Sequence, residues 1–282
     1  MSGLFPKAFI FGAGTKGREL LPLIKEKYQV VAFLDNDNSK WGIAIDGVPC
    51  MQPEAIIDND YDIVIIALTM AFDTIIEQLI KMGVDEWRIN SSYVSIPIMS
   101  RVLFIEKLSE LFKKKGIKGC VAEGGVYQGE FAKEINRVFA EHKLYLFDTF
   151  TGFDKTDVDI EHNEGLSNFS EGYFAMTSEE LVRSRLPHPD MAIFMKGHFP
   201  MTAENIDDVF CFVNLDFDLY QPILFGLEYF IPRMVEGGIV LIHDYFSHDF
   251  KGVEKAVKDY EKQHGALRTF PIGDGISIGI YC

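Results

Sequence analysis

Two pairs of ionisable side chains, each following an apolar run, are the residues best suited to chemistry. One run ends in Asp216 and Asp218, and a second ends in His243 and Asp244. Residues i and i+2 of an extended chain point to the same side, so Asp216 and Asp218 can direct oxygen atoms at one point. Because ligands bind beyond the carboxyl ends of parallel strands, the pattern predicts a site for Mg²⁺ or a similar divalent cation. Its predicted ligands are Asp216, Asp218 and Asp244.

A single aspartate after a strand is more often a turn or helix cap, and this alternative applies to each residue alone. Two acidic clusters, each at a strand end, favour the site. His243 is the first candidate for a general base, and His198, which follows another strand-like run, is the second.

The elements that must position these side chains alternate between strand and helix, which predicts an α/β protein with two Rossmann-like, doubly wound domains. Near the start, an apolar run leads into the loop Gly12–Gly17, a helical pattern and a second run that ends at Asp35. This order is typical of a dinucleotide-binding unit. The predicted ligand-binding residues are Gly12, Gly14, Gly17 and Asp35.

A second glycine loop follows the strand-like run at residue 121 and contains Glu123, Gly125 and Gly129. The next strand ends at Asp148, where an acid could bind a ribose. The carboxylate of Glu123 would repel a pyrophosphate but suits a sulfonium cofactor with an amino group. These four residues are therefore predicted to bind S-adenosylmethionine rather than NAD.

The predicted boundary places a small domain at residues 1–95 and a larger one at 96–282, with residues 91–100 as a linker. A long polar segment, 150–190, is predicted to be a lid or a substrate loop, with a helix over 178–185. The chain closes with an expected β-hairpin around Gly273–Gly275. A parallel sheet that ends in such a hairpin is typical of Rossmann-like methyltransferases.

Net charge, cysteine content and the length of the apolar runs limit the classes of function that fit this chain. The 282 residues carry a net charge of −15, which disfavours nucleic acid as a partner. The four cysteines form no C-x-x-C pair, which fits a reducing compartment. No apolar run reaches the ~20 residues of a membrane span. A cytoplasmic protein acting on a small molecule is expected.

Residues from about 118 to 282 resemble the macrocin and mycinamicin O-methyltransferase family (TylF/MycF type). The motifs that carry the resemblance share an order and spacing: Glu123-x-Gly125-Val126-x-x-Gly129, Asp148-x-Phe150-x-Gly152, Gly197-x-Phe199-Pro200-x-Thr202, Asp216-x-Asp218-x-Tyr220, and Gly237-Gly238 followed by His243-Asp244-Tyr245. The resemblance implies metal-dependent methyl transfer from S-adenosylmethionine to a sugar hydroxyl, by a homo-oligomer. The chain departs from the family at His243, where better-known members have aspartate.

The first 95 residues resemble the small Rossmann domains in front of bacterial sugar-modifying enzymes, such as PglD-like acyltransferases. This implies nucleotide or nucleotide-sugar binding, or an empty domain used for assembly. Two other functions remain open on sequence: an NAD-dependent sugar oxidoreductase or epimerase, and a non-catalytic nucleotide-sugar binding protein.

Overall fold

A computed structural model describes residues 5–68 and 72–282. The chain divides into two compact units between Met99 and Ser100. Each unit has its own sheet and its own core.

The first unit contains one sheet of six strands: β1 (Lys7–Phe11), β2 (Gln29–Leu34), β3 (Ala44–Ile45), β4 (Val48–Met51), β5 (Ile63–Ile66) and β6 (Ile89–Asn90). Helices follow β1, β4 and β5: α1 (Thr15–Lys25), α2 (Ala55–Asp58) and α3 (Phe72–Lys81). The strand order is β3-β4-β2-β1-β5-β6, with every neighbouring pair parallel except β3 and β4.

The turn between β1 and α1 depends on glycine. A Cβ atom on Gly17 would lie 1.9 Å from the carbonyl oxygen of Gly12, so no larger residue fits. The parallel pairing and the position of this loop agree with a Rossmann-like unit, which stays a prediction for these residues.

The second unit contains a seven-stranded sheet: β7 (Cys120–Gly124), β8 (Leu144–Asp148), β9 (Ala192–Lys196), β10 (Phe210–Leu215), β11 (Met234–Ile242), β12 (Thr269–Pro271) and β13 (Ile278–Tyr281). Its helices are α4 (Ser92–Lys115), whose sequence contains the division between units, α5 (Glu130–Val138), α6 (Lys155–Glu164), α7 (Glu179–Arg185), α8 (Tyr220–Phe230) and α9 (Lys251–His264).

The strand order of this sheet is β12-β13-β11-β10-β7-β8-β9. Strands β7 to β11 are parallel, whereas β13 is antiparallel to both β11 and β12. Successive residues of β10 pack into different cores, Val213 on one face and Phe212 on the other. Burial on both faces explains why the central strands are continuous apolar runs.

The predicted α/β class and the terminal hairpin are confirmed. The predicted linker is wrong, because the chain is helical from Ser92 onward and Pro97 lies inside α4. The domain boundary at residue 95 stays a prediction. The 150–190 segment contains α6 in addition to the expected helix.

The sequence predicts a helix from about Ala71 to Met82 after β5. The structure describes this helix from Phe72 onward as α3, and Ala71 itself lies outside the described residues. Within residues 5–68 and 72–282, no helix combines the length and apolar character that crossing a bilayer requires.

Candidate active site

The carboxyl ends of β10 and β11 bring three of the predicted side chains together. Leu215 pairs with Ile242, and the amide of His243 donates to the carbonyl oxygen of Leu215 at 2.9 Å. The residues that follow, Asp216, His243 and Asp244, offer one oxygen or nitrogen atom each within 4.8 Å of one another. Strand register therefore brings these three residues together, and their role as metal ligands stays a prediction.

Asp218 lies outside that group of three but contacts Asp244. Burial, then the negative charges of Asp244 and Asp216, raises the pKa of Asp218 well above its usual value. Burial also raises the pKa of Asp244, whose side chain is 12% exposed. Both residues have positive φ, 64° and 57°. Backbone strain of this kind is concentrated at functional sites.

Arg101 of α4 balances part of the negative charge. Its Nη2 donates to Oδ2 of Asp216 at 3.1 Å, with exposed side-chain fractions of only 12% and 18%. The guanidinium also lies 3.8 Å above the ring of Phe131. One oxygen of Asp216 is thus engaged by arginine.

His243 is held from the side of the terminal hairpin. Its Nδ1 lies 2.8 Å from Oγ of Ser277, and Oγ of Ser277 donates to Oδ2 of Asp274 at 2.5 Å. Its Nε2 lies 3.9 Å from Oδ2 of Asp244, which is too long for a hydrogen bond.

The donor set fits a divalent cation. Two carboxylates and an imidazole are common ligands of such ions. Two atoms bound to one ion at about 2.1 Å each are at most about 4.2 Å apart, which is close to the separations within this cluster. The residues present therefore fit a divalent cation, and His243, which the sequence assigned to a base, is among the candidate ligands.

The second glycine loop adjoins this cluster directly. The amide of Asp216 donates to the carbonyl oxygen of Gly124 at 2.7 Å. Glu123 is 1% exposed, and its Oε1 accepts from Nδ2 of Asn214 at 2.9 Å. Among the described residues, Oε2 of Glu123 and Oδ1 of Asn214 are buried without a hydrogen-bond partner.

Burial, followed by the charge of Asp216, raises the pKa of Glu123 well above its usual value. A buried polar group without a partner is unusual in a native structure and needs an explanation. A bound ligand with a donor group would supply one.

Asp148 holds the second glycine loop through hydrogen bonds to its backbone. Its Oδ2 accepts from the amides of Val126 and Tyr127 at 2.7 and 2.8 Å, and its Oδ1 accepts from Phe150 at 2.7 Å. Gly125 and Gly129 have φ of 81° each, which suits glycine. Of the four residues predicted to bind S-adenosylmethionine, Glu123 lies in β7, Gly125 and Gly129 lie in the loop after it, and Asp148 ends β8 and binds this loop. Their role stays a prediction.

His198 occupies a second group. Its Nε2 lies 2.8 Å from Oδ2 of Asp157, which is only 5% exposed, and Asp154 completes the group. The ring of Phe199 packs against Phe217 at 5.2 Å between centroids. The segment that carries His198 therefore contacts the segment between Asp216 and Asp218.

The first glycine loop, in the other unit, is held by an aspartate in the same way. Oδ2 of Asp35 accepts from the amide of Ala13 at 2.9 Å and from Nζ of Lys40 at 3.0 Å. Gly12 and Gly14 lie in the turn before α1, and Gly17 lies in the first turn of α1, close to the carbonyl oxygen of Gly12. Nucleotide binding by this loop stays a prediction.

Four residues of the site were missed in the sequence: Arg101, Asn214, Asp274 and Ser277. Arg101 is distant in sequence from Asp216, and the hairpin residues are distant from His243, so no local spacing reveals them. Asn214 was detectable, since it is a polar residue inside an apolar strand.

Comparisons with known proteins agree with this geometry. Residues 78–275 match the macrocin-O-methyltransferase (TylF) family, and residues 5–90 match the C2185-like, N-terminal family. Over 175 residues the chain is 26% identical to the 8-demethyl-8-(2,3-dimethoxy-alpha-L-rhamnosyl)-tetracenomycin-C 4'-O-methyltransferase of Streptomyces olivaceus. That alignment covers 58% of this chain and 66% of the relative, slightly less than two thirds of its length.

Two solved structures have the same fold. The O-methyltransferase NovP matches with a TM-score of 0.52 and 20% identity, over 64% of this chain and 79% of NovP. The calicheamicin methyltransferase CalS11 matches with a TM-score of 0.51 and 19% identity, over 75% of this chain and 86% of CalS11. Since the family match covers well over half of the sequence and includes the carboxylate cluster, the chain belongs to the macrocin-O-methyltransferase family.

Proposed function

We propose that the second unit transfers a methyl group from S-adenosylmethionine to a hydroxyl group of a sugar, free or linked to a nucleotide or aglycone, with the help of a divalent cation. One observation carries the proposal. The glycine loop and the carboxylate cluster are joined through the hydrogen bond from Asp216 to Gly124. A donor on the loop and a cation in the cluster would therefore be neighbours.

The glycine loop would bind the methyl donor. Glu123 offers a buried oxygen without a partner to the positive part of that molecule. Asp148 keeps the loop in shape by accepting from two of its backbone amides, those of Val126 and Tyr127. Holding the donor in line with the acceptor hydroxyl removes much of the entropic cost of the reaction.

Asp216, Asp244 and His243 would hold the cation, and Asp218 adds negative charge beside Asp244. A bound divalent cation lowers the pKa of a hydroxyl group that it contacts and fixes its orientation.

Two histidines are candidates for accepting the hydroxyl proton. His243 lies within the cation cluster, and His198 is oriented by the buried carboxyl of Asp157 in the manner of an Asp–His pair.

The relative from Streptomyces olivaceus supports a sugar acceptor, because its name describes methylation of a rhamnosyl group. The test is transfer of a labelled methyl group to a panel of free, nucleotide-linked and glycosidic deoxysugars. Transfer should stop with a chelator and return with added metal. Asp244→Asn should abolish it, and Asp190→Asn, an exposed acid in the same unit, should not.

Full activity of metal-stripped protein would overturn the cation requirement. Absence of S-adenosylmethionine binding in calorimetry would overturn the function itself. Binding of NAD without S-adenosylmethionine would favour the oxidoreductase alternative and would place the active loop at Gly12–Gly17.

A further inference from the structure

The terminal hairpin determines which nitrogen of His243 carries hydrogen. Asp274 accepts three hydrogen bonds from the hairpin: from the amides of Ile276 and Ser277 at 3.1 and 2.9 Å on Oδ1, and from Oγ of Ser277 at 2.5 Å on Oδ2. A hydroxyl group has one hydrogen to donate, and Ser277 donates it to the carboxylate.

It follows that Oγ of Ser277 can only accept from the ring. Nδ1 of His243, 2.8 Å away, must therefore carry the hydrogen. A neutral imidazole with hydrogen on Nδ1 has its lone pair on Nε2. Nε2 is the nitrogen on the side of Asp244, 3.9 Å from its Oδ2.

Burial protects these hydrogen bonds from competition by water. Ser277 is fully buried and Asp274 is 7% exposed, so water does not compete for either group. The turn itself needs only Oδ1 of Asp274, which accepts both backbone amides. Its Oδ2 serves Ser277 alone, and a purely structural turn would not require that second contact.

We propose that Asp274 and Ser277 are positioning residues that hold His243 as an Nε2 ligand of the cation, and that the site consequently prefers Mn²⁺ or a similar transition ion to Mg²⁺. The inference rests on the proposed function for the use of the site. Imidazole nitrogen is a good ligand for transition ions, whereas Mg²⁺ selects oxygen. With hydrogen on Nδ1 and the cation on Nε2, the ring of His243 would have no lone pair left to accept the hydroxyl proton.

The first experiment reads the tautomer directly, in the metal-free protein at a pH where His243 is neutral. Long-range ¹H–¹⁵N correlation of ¹⁵N-histidine-labelled protein distinguishes the two neutral forms. The signal is assigned by its loss in His243→Asp. Wild-type protein should show hydrogen on Nδ1.

Asp274→Asn should reverse the direction of the hydrogen bonds that link residue 274, Ser277 and His243. Its Oδ1 would still accept both backbone amides, so its NH₂ group would face Ser277 and donate to Oγ. Ser277 would then donate to Nδ1, and the hydrogen of His243 would move to Nε2. Ser277→Thr retains the hydroxyl and should retain the wild-type tautomer. Glu236→Gln, an equal charge change at the other end of β11, should have no effect.

The second experiment measures cation binding by calorimetry, with Mn²⁺ electron paramagnetic resonance as a separate readout. Wild-type protein should bind Mn²⁺ at least about tenfold more tightly than Mg²⁺. Asp274→Asn should weaken Mn²⁺ binding about 10- to 100-fold, the usual effect of losing a group that orients a ligand. His243→Asp should shift the preference toward Mg²⁺.

Hydrogen on Nε2 in wild-type protein, or equal affinity for both ions, would overturn the inference even if methyl transfer were found. The predicted tautomer and Mn²⁺ preference without any methyl transfer would uphold it and overturn the proposed function. If Asp274→Asn fails to fold, Ser277→Ala against Ser277→Thr provides the same contrast.

Discussion

Gly125 lies directly against the backbone of Asp216, such that a Cβ atom on Gly125 would be 2.0 Å from the carbonyl oxygen of Asp216. The φ of Gly125 is also positive, 81°. Gly125→Ala should therefore displace the loop and the cluster together. We expect methyl transfer to fall at least about 100-fold, with weaker binding of both S-adenosylmethionine and cation, since a displacement of about 1 Å has that cost.

The matched control is Gly116→Ala, because Gly116 also has a positive φ, 70°, but a Cβ there would meet nothing within 4 Å. Calorimetry with each ligand separately checks the result. Loss of donor binding with intact cation affinity would contradict the coupling between loop and cluster.

Replacing Arg101 should strengthen cation binding. Its guanidinium occupies Oδ2 of Asp216, so an ion must compete with it. Arg101→Met keeps an apolar stem over Phe131 and removes the charge. We expect the dissociation constant for Mn²⁺ to fall about tenfold, equivalent to about 1.4 kcal/mol.

Arg183→Met is the comparison variant, since Arg183 lies over Phe194 in the same way, at 4.3 Å. Its cation affinity should equal that of the wild type. Weaker binding in Arg101→Met would mean that the arginine supports the site rather than competing for it.

Glu123→Gln should separate stability from donor binding. Burial raises the pKa of Glu123, so ionisation at neutral pH opposes folding. The amide removes that cost, and the free energy of unfolding should stay equal or rise. Affinity for S-adenosylmethionine should nevertheless fall about tenfold or more, because a charged partner is lost.

Glu161→Gln provides the control. Glu161 is equally buried, its Oε2 also lacks a partner among the described residues, and burial raises its pKa too. The thermal unfolding temperature should change in the same direction as in Glu123→Gln, without any change in the affinity for S-adenosylmethionine. A parallel loss of affinity in both variants would refute the special role of Glu123.

His198→Ala should lower kcat about 100-fold if the ring accepts the hydroxyl proton, with no change in cation affinity. The free energy of unfolding should fall by about 1–3 kcal/mol, because buried Asp157 loses its partner. Unchanged kcat would remove His198 as the base. His264→Ala, on the exposed end of α9, controls for loss of a histidine.

Tyr145→Phe gives a pH-dependent loss of stability. The Tyr145 hydroxyl donates to Oδ2 of Asp208 at 2.6 Å, and this bond, followed by that from Lys143, lowers the pKa of Asp208. A carboxyl with a lowered folded-state pKa stabilises the fold above its unfolded pKa, about 3.9, and loses that contribution as the pH falls through the folded value.

The variant should be less stable by about 1 kcal/mol at pH 7, a modest figure because Asp208 is partly exposed. The difference should shrink below about pH 4. Urea unfolding of wild type, Tyr145→Phe, Asp208→Asn and the double variant across pH checks it. A constant difference at all pH values would exclude the carboxyl as its origin.

Sequence predicted the second sheet well because its signals are local. Apolar runs marked β10 and β11, and Asp216 and His243 come directly after the register pair of Leu215 and Ile242. The glycine loop and Asp148 were likewise found from adjacent residues. The family resemblance predicted from these motifs is confirmed by the match over residues 78–275.

What sequence did not predict depends on contacts between distant residues. Arg101 reaches Asp216 across 115 positions, and Ser277 reaches His243 across 34. Asp218 was expected among the ligands from strand periodicity, but its φ of 64° interrupts the alternation and turns it toward Asp244. The linker prediction was wrong because α4 already begins at Ser92 and accommodates Pro97.

The antiparallel position of β13 has a consequence for the order in which the active site matures. All five parallel strands precede residue 243, whereas the serine that fixes the ring of His243 is made after α9. Chains fold progressively from the N-terminus during synthesis. A nascent chain can thus build the parallel sheet and gather its carboxylates while the imidazole is still free to rotate, and metal selectivity is acquired only when the last hairpin closes.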